Sequence, residues 1–226
     1  MAALSDVEPG LSPEELARAP RWSGLRTRAL TTRVRGILLR DWAAHVRTGF
    51  GEGALAAVRA RADVSPAALP DAPDLRAWYP ARLQLRVTEA IIDECLGGDA
   101  LALGELLRAV GPTTRDRALR WALTKVGPGP MLRGAARAHG RLYDQGAAVA
   151  KTRRGAAEVE VTGGPLFAHP TWRLLQLLAI RTMLRALGRA EKALTVEDVP
   201  ASPAGGGEDT GGPPAPRGAL FRVRWE

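Results

Sequence analysis

The hydrophobic pattern of the chain changes period once, and that change divides it. Up to about residue 143 apolar positions recur every three or four residues, the spacing of a helix face. Leu83, Val87, Ile91 and Cys95 fall four apart on one stripe, ended by Gly97-Gly98. Asp99 caps a helix running to about Val110. Gly111-Pro112-Thr113-Thr114 opens another, carrying Leu119, Leu123 and Val126 with Trp121 on a neighbouring face. GPGP at 127–130 interrupts it, and Met131 to Tyr143 forms the helix that holds His139. Upstream, RVRGILLRDWAAHVRTGFG predicts a helix ending near 49–51, and a second covers Glu52 to Ala62. The proline-dense DVSPAALPDAPDLRAWYP reads as a connector.

Beyond residue 146 the period becomes two. AAVAKTRRGAAEVEVTG alternates about Arg154-Gly155, the pattern of a β-hairpin. With those two residues as the loop, Ala150 faces Val159, Ala148 faces Val161, and Lys151 sits opposite Glu158, a charge match that supports the register. An apolar helix follows from about Pro170 to Leu187, then strands at 193–199 and 219–226. The expected fold is α+β: an N-terminal helical bundle, a hairpin, one long apolar helix and two further strands forming a small antiparallel sheet. Residues 1–30 read as an arm, where Ser12-Pro13-Glu14-Glu15 has a capping-box pattern. Residues 31–226 read as one domain with a flexible low-complexity insertion at about 200–217.

Composition adds a basic balance. The 226 residues carry a net charge of +8, and 29 of the 32 basic residues are arginine. Abundant alanine, glycine and proline point to a GC-rich genome, which lowers the weight of the arginine count. The excess concentrates between Pro20 and Arg61, with nine arginines against Asp41 and Glu52. Arg26, Arg33, Arg40 and Arg47 recur every seven residues, so one continuous helix would gather them within roughly 60°. Such a stripe draws an acidic protein, a nucleic acid or an anionic membrane face, and a solvated helix face is the plainer reading. Of the six tryptophans, Trp42, Trp121 and Trp172 sit in apolar helices and read as core anchors. Trp22, beside Arg21, is the candidate surface anchor.

The chemical signals are sparse. Cys95 is the one cysteine, so no internal disulfide and no multi-cysteine metal site is expected, which fits a reducing cytoplasm. On its apolar stripe it reads as an inert thiol. The N-terminus has no apolar core segment, and the run Trp172 to Leu187 is too charged to span a bilayer. No glycine-rich phosphate loop follows a strand, and neither G-x-S-x-G nor H-E-x-x-H occurs. His45, His139 and His169 are scattered away from metal-ligand spacing.

The segments RVRGILLRDW, WYPARLQLRV, GDALALGELL, KVGPGPMLRGAARAHGRLYDQG and FRVRWE resemble a myxobacterial paralogous family over residues 33 to 226. The order of elements is similar, more distantly, to a superfamily of ligand-binding folds. It contains heme nitric-oxide/oxygen-binding domains, 4-vinyl-reductase-like sensor domains and TRAPP vesicle-tethering subunits. In the heme domains a histidine on the helix before the first strands holds the heme, and a Tyr-x-Ser-x-Arg motif after them clasps its propionates. His139 falls on the corresponding helix, but VTGGPLFAHPTW supplies no such motif. The cysteines that bind zinc in some sensor relatives are also absent. The TRAPP likeness implies an acyl chain on a helix cysteine, for which Cys95 is the candidate.

No catalytic residue, metal or cofactor is therefore expected. The expected function is a non-enzymatic cytoplasmic module, regulatory or assembling, that binds a protein partner or a small apolar ligand; a homodimer is compatible with it. Partner-binding candidates are Arg26, Arg33, Arg40, Arg47 and Trp22. Pocket candidates are Leu83, Val87, Ile91 and Cys95 on one helix, with Trp172 and Leu175 on the other. The alternative is a nucleic-acid-associated protein using the arginine stripe.

Overall fold

A computed structural model describes residues 10–40, 42–110, 127–200 and 218–226. The first nine residues, the helix read from 113 to 126 and the insertion at 201–217 lie outside the described residues. Two short helices open the chain, α1 (Pro13–Arg18) and α2 (Gly24–Arg28). The capping box at Ser12 forms: its side chain accepts from Glu15 N, and Glu15 Oε2 accepts from Ser12 N at 2.8 Å.

The helix expected from residue 33 does not begin there. Arg33–Arg35 is a strand, β1, followed by a 3-10 turn (Gly36–Leu39) and α3 (Trp42–Phe50). β1 pairs antiparallel with β2 (Trp78–Pro80) inside the supposed connector, setting Val34 opposite Tyr79. Gly36 explains the break. Its N–H is committed to Ala77 O at 2.9 Å, and a Cβ there would collide with the Asp74 carbonyl. A backbone spent on a neighbouring strand cannot also donate to its own helix. The arginine stripe is thereby dispersed: Arg26 lies on α2, Arg33 in β1, Arg40 at the end of the 3-10 turn and Arg47 on α3.

The rest follows the predicted order. α4 (Glu52–Ala62), α5 (Ala81–Cys95), α6 (Leu103–Val110) and α7 (Pro128–Leu142) precede the hairpin β3 (Ala147–Arg153) and β4 (Ala156–Thr162). Its register sets Ala150 opposite Val159, Ala148 opposite Val161 and Lys151 opposite Glu158. Then come α8 (Pro170–Ala186), β5 (Glu191–Val199) and β6 (Gly218–Trp225). The last strand inserts centrally, giving the order β3-β4-β6-β5.

One face of this sheet is covered and the other is wet. Val161, Ala219, Phe221, Val223, Leu194 and Val196 are buried on the inner face, and α8 packs there with Trp172, Leu177 and Leu184. Each large side chain removed from water contributes about 1.5–3 kcal/mol. The opposite face carries alternating charge along the rung Lys151, Glu158 and Arg222. α1 also packs on α8, and Leu11 exchanges two 2.9 Å backbone bonds with Val196. That contact covers part of the open edge of β5. No helix among the described residues is long and apolar enough to cross a membrane.

Candidate functional site

A cavity of about 300 Å³ opens where α7, α8 and the inner sheet face meet. α7 contributes Leu132, Ala136 and His139; α8 contributes Trp172, Leu175 and Ile180; the sheet contributes Ala148, Val161 and Phe221. Leu38, Gln84 and Leu107 close it from the N-terminal half. The helical spacing of 132, 136 and 139 puts all three α7 residues on one face. Among the described residues no charged side chain lines the cavity, and its polar groups are Gln84, His139, Tyr143 and Gln176 beside the indole of Trp172.

His139 is held from two sides. Its ring stacks on Tyr143, one turn along the same chain, with centroids 4.7 Å apart and planes inclined by 24°. Its Nε2 lies 3.2 Å from the backbone carbonyl of Gln145. A carbonyl only accepts, so Nε2 carries the proton. Burial pushes the ring below the ordinary histidine range, against the opposing pull of the Gln145 carbonyl, so the imidazole is neutral at pH 7. Nδ1 is then a bare lone pair, with no hydrogen-bond partner among the described residues.

Gln145 is fixed in turn. Its side-chain oxygen accepts from the Thr32 hydroxyl at 2.9 Å, and its Nε2 donates to the Thr31 hydroxyl at 3.2 Å. Next to it, Asp144 accepts from Arg33 N and Nε, both at 2.7 Å. The chain turns sharply at Gly146, whose φ of +80° and contact with the Phe167 ring exclude a side chain. The His139 helix end is thus clamped to β1 on one side and to the hairpin on the other. Thr31, Thr32, Asp144 and Gln145 carried no signal in the sequence, because their pairing spans more than a hundred residues.

The aromatic floor is continuous. Tyr143, Trp172 and Phe221 lie in a chain of tilted and edge-to-face contacts, with Phe167 behind them at 5.0 Å from Trp172. Trp172 Nε1 donates to the Tyr143 hydroxyl at 3.2 Å, and Gln176 also bonds that hydroxyl. Burial raises the Tyr143 phenol, so it stays protonated. Gln84 is different. Its Nε2 donates to Leu38 O at 3.4 Å, while its Oε1 is buried with no partner.

His169, Thr171 and Arg173 repeat the i, i+2, i+4 spacing of the propionate-clasp motif, with His and Thr in place of Tyr and Ser. None of the three lines the cavity. His169 Nδ1 caps α8 by accepting from Thr171 N at 3.2 Å, and its Nε2 meets the Thr27 hydroxyl at 3.2 Å. Burial, reinforced by the Arg26 charge, pushes this ring down to about 4. Thr171 donates to Glu89 at 2.5 Å. Arg173 is buried, donating to Phe167 O at 2.7 Å and Gly218 O at 2.8 Å and pairing with Asp198.

The other predicted residues are placed as follows. Trp172 and Leu175 line the cavity; Leu83, Val87, Ile91 and Cys95 do not. Leu83, Val87 and Ile91 are buried in the core, and Cys95 packs at its margin, where burial raises its thiol. Trp22 is covered by the Arg26 guanidinium, 3.6 Å above the ring, and its other neighbour is His169. Arg33 is bound to Asp144, and Arg47 to Asp71 and Glu52. Among the described residues no group of three His, Cys, Asp or Glu side chains could hold a metal ion.

No protein-family model matches the chain, and no curated protein does. Solved structures do. A mutant H-NOX protein from K. algicida, in its Fe(II) unliganded form, aligns over 85% of this chain and 96% of its own, with a TM-score of 0.53 and 11% identity. An H-NOX protein from S. oneidensis in the Fe(II)NO state covers the same share of this chain and 99% of its own, with a TM-score of 0.50 and 7% identity. A structure from work on heme distortion in the H-NOX family gives a TM-score of 0.50 at 14% identity over 85% and 95%. The chain has an H-NOX-like fold.

Proposed function

We propose that the protein is a non-enzymatic module, with a regulatory or assembly role, that binds a small apolar ligand in the cavity beside His139. One observation carries the reading: a cavity of about 300 Å³, walled by apolar side chains and floored by aromatic rings, with a few uncharged polar groups. That is the usual make-up of a small-molecule site, at the lower end of the range of about 300–1,000 Å³. Binding is favoured over catalysis because, among the described residues, the one titratable group beside His139 at the cavity is the Tyr143 phenol, whose hydroxyl is bonded to Trp172 and Gln176 and kept protonated by burial.

The H-NOX likeness brings heme into consideration, and the residues present do not fit it. His139 is the residue that would offer a ring nitrogen to a heme iron, its other nitrogen being held by the Gln145 backbone carbonyl. Among the described residues the heme carboxylates find no partner, since no cation lines the cavity and Arg173 is spent on two backbone carbonyls and Asp198. Burying two unpaired carboxylates is prohibitive.

Native mass spectrometry of the freshly purified chain, followed by titration with indene, tests the proposal. The expected result is a retained small molecule or a saturable one-to-one indene complex. The complex should vanish in Ala136→Leu, which fills the cavity from α7. An empty protein that refuses indene would overturn the reading.

A further inference from the structure

The polar groups of the cavity are unequally satisfied, and the inequality says what the ligand must carry. Tyr143 and Gln176 are bonded to each other, and Tyr143 also accepts from Trp172. Two atoms at the wall have no partner among the described residues. One is Nδ1 of His139, a lone pair because the proton sits on Nε2 facing Gln145. The other is Gln84 Oε1, whose amide cannot usefully flip because its Nε2 serves the Leu38 carbonyl. Both are acceptors. Gln84 Oε1 is the buried one of the two. An acceptor without a donor is the more unfavourable the better it is shielded from water, and a ligand that supplies the donor while excluding water favours binding.

Resting on the proposed ligand-binding role, we infer that the cavity selects a neutral, apolar, ring-sized molecule bearing an N–H or O–H donor, which it gives to Nδ1 of His139. An alkane or arene lacking a donor would fill the volume and leave the lone pair unpaired. Among the described residues a carboxylate or phosphate would meet two acceptors and no cation, so it is disfavoured by repulsion as well as by desolvation. A cationic amine would find acceptors but no counter-charge among the described residues of the wall, and would leave its charge unpaired. The Thr31 and Thr32 contacts to Gln145 serve this selectivity. They hold the carbonyl that keeps the proton on Nε2, and so keep Nδ1 bare.

Indole and indene test this, because they match in shape and differ in one N–H. Binding to the full chain is measured by calorimetry, with 15N NMR of the His139 ring in parallel. Indole is expected to bind about fivefold or more tightly than indene, the usual worth of one neutral hydrogen bond. The preference should vanish in His139→Phe while indene affinity persists. In the unmodified protein the Nδ1 resonance should leave the bare-nitrogen region with indole and stay with indene. The NMR readout needs no variant, so it decides the matter even if His139→Phe folds poorly. Equal affinities with an unmoved Nδ1 signal would overturn the inference and leave the cavity reading intact. Tighter binding of indole-2-carboxylate than of indole would overturn it too. Refusal of both neutral probes would overturn the cavity reading itself.

Discussion

The imidazole of His139 stacks on the phenol ring of Tyr143 at 4.7 Å while its Nε2 faces the Gln145 carbonyl. The ring therefore does two jobs, packing and hydrogen bonding, and they can be separated. His139→Phe keeps the stack and loses the bond, so it should cost about 1 kcal/mol, the net worth of one hydrogen bond. His139→Ala loses both and opens the cavity further, and should cost at least about twice as much. Urea denaturation of the two variants measures the difference.

His169 makes the fold sensitive to acid. The folded ring titrates at about 4, against about 6.5 when exposed. Above pH 6.5 it is neutral in both states and the stability is fully present. As pH falls from 6.5 toward 4 the unfolded chain takes up the proton first, so stability drops, by roughly 3 kcal/mol at most. Protonation would also put a hydrogen on Nδ1, the atom that accepts from Thr171 N. His169→Asn keeps an N-cap acceptor and does not titrate. Its urea midpoint should change less between pH 6.5 and 4 than that of the parent.

Arg173 and Asp198 should behave unequally although they form one ion pair at 2.6 Å. The arginine side chain is 7% exposed and the aspartate 61%. Arg173→Met strands two buried carbonyls, at Phe167 and Gly218, and should cost about 2–4 kcal/mol. Asp198→Asn weakens only a solvated partner and should cost less than about 1 kcal/mol. Thermal melts of both variants show whether the inequality holds.

The arginines of the N-terminal half should not grip nucleic acid. Arg26 covers Trp22, Arg33 holds Asp144, and Arg47 sits between Asp71 and Glu52. Phosphate contacts would have to displace these partners. Retention on a DNA or RNA column should be negligible at about 50 mM salt, where a phosphate-binding surface still holds firmly.

The parts of this fold that were legible in the sequence are those that repeat. The hairpin register follows from alternation about Arg154-Gly155 and a matched Lys151–Glu158 rung, and the long helix from its uninterrupted apolar faces. β1 and β2 are three residues each, too short for any period to register. Their pairing joins residues 33–35 to 78–80, which no local pattern reports. Without them residues 33–51 read as one helix that lines up Arg33, Arg40 and Arg47. The cavity was half legible. Trp172 and Leu175 belong to a strong helix and line the cavity, but its other wall is α7 rather than the Leu83–Cys95 face of α5. Which helix faces α8 is decided by the packing of several elements, and a hydrophobic stripe does not say what it packs against.

Methyl NMR of the protein titrated with indole tests the central claim most directly. The account predicts shifts confined to the cavity wall, at Leu107, Leu132, Leu175, Ile180 and Val161, saturating at one ligand per chain. The methyls of Leu25 and Val149, which are 81% and 56% exposed, should stay where they are. Unmoved cavity methyls, or shifts as large at Leu25 and Val149 as at Leu132 and Ile180, would contradict it.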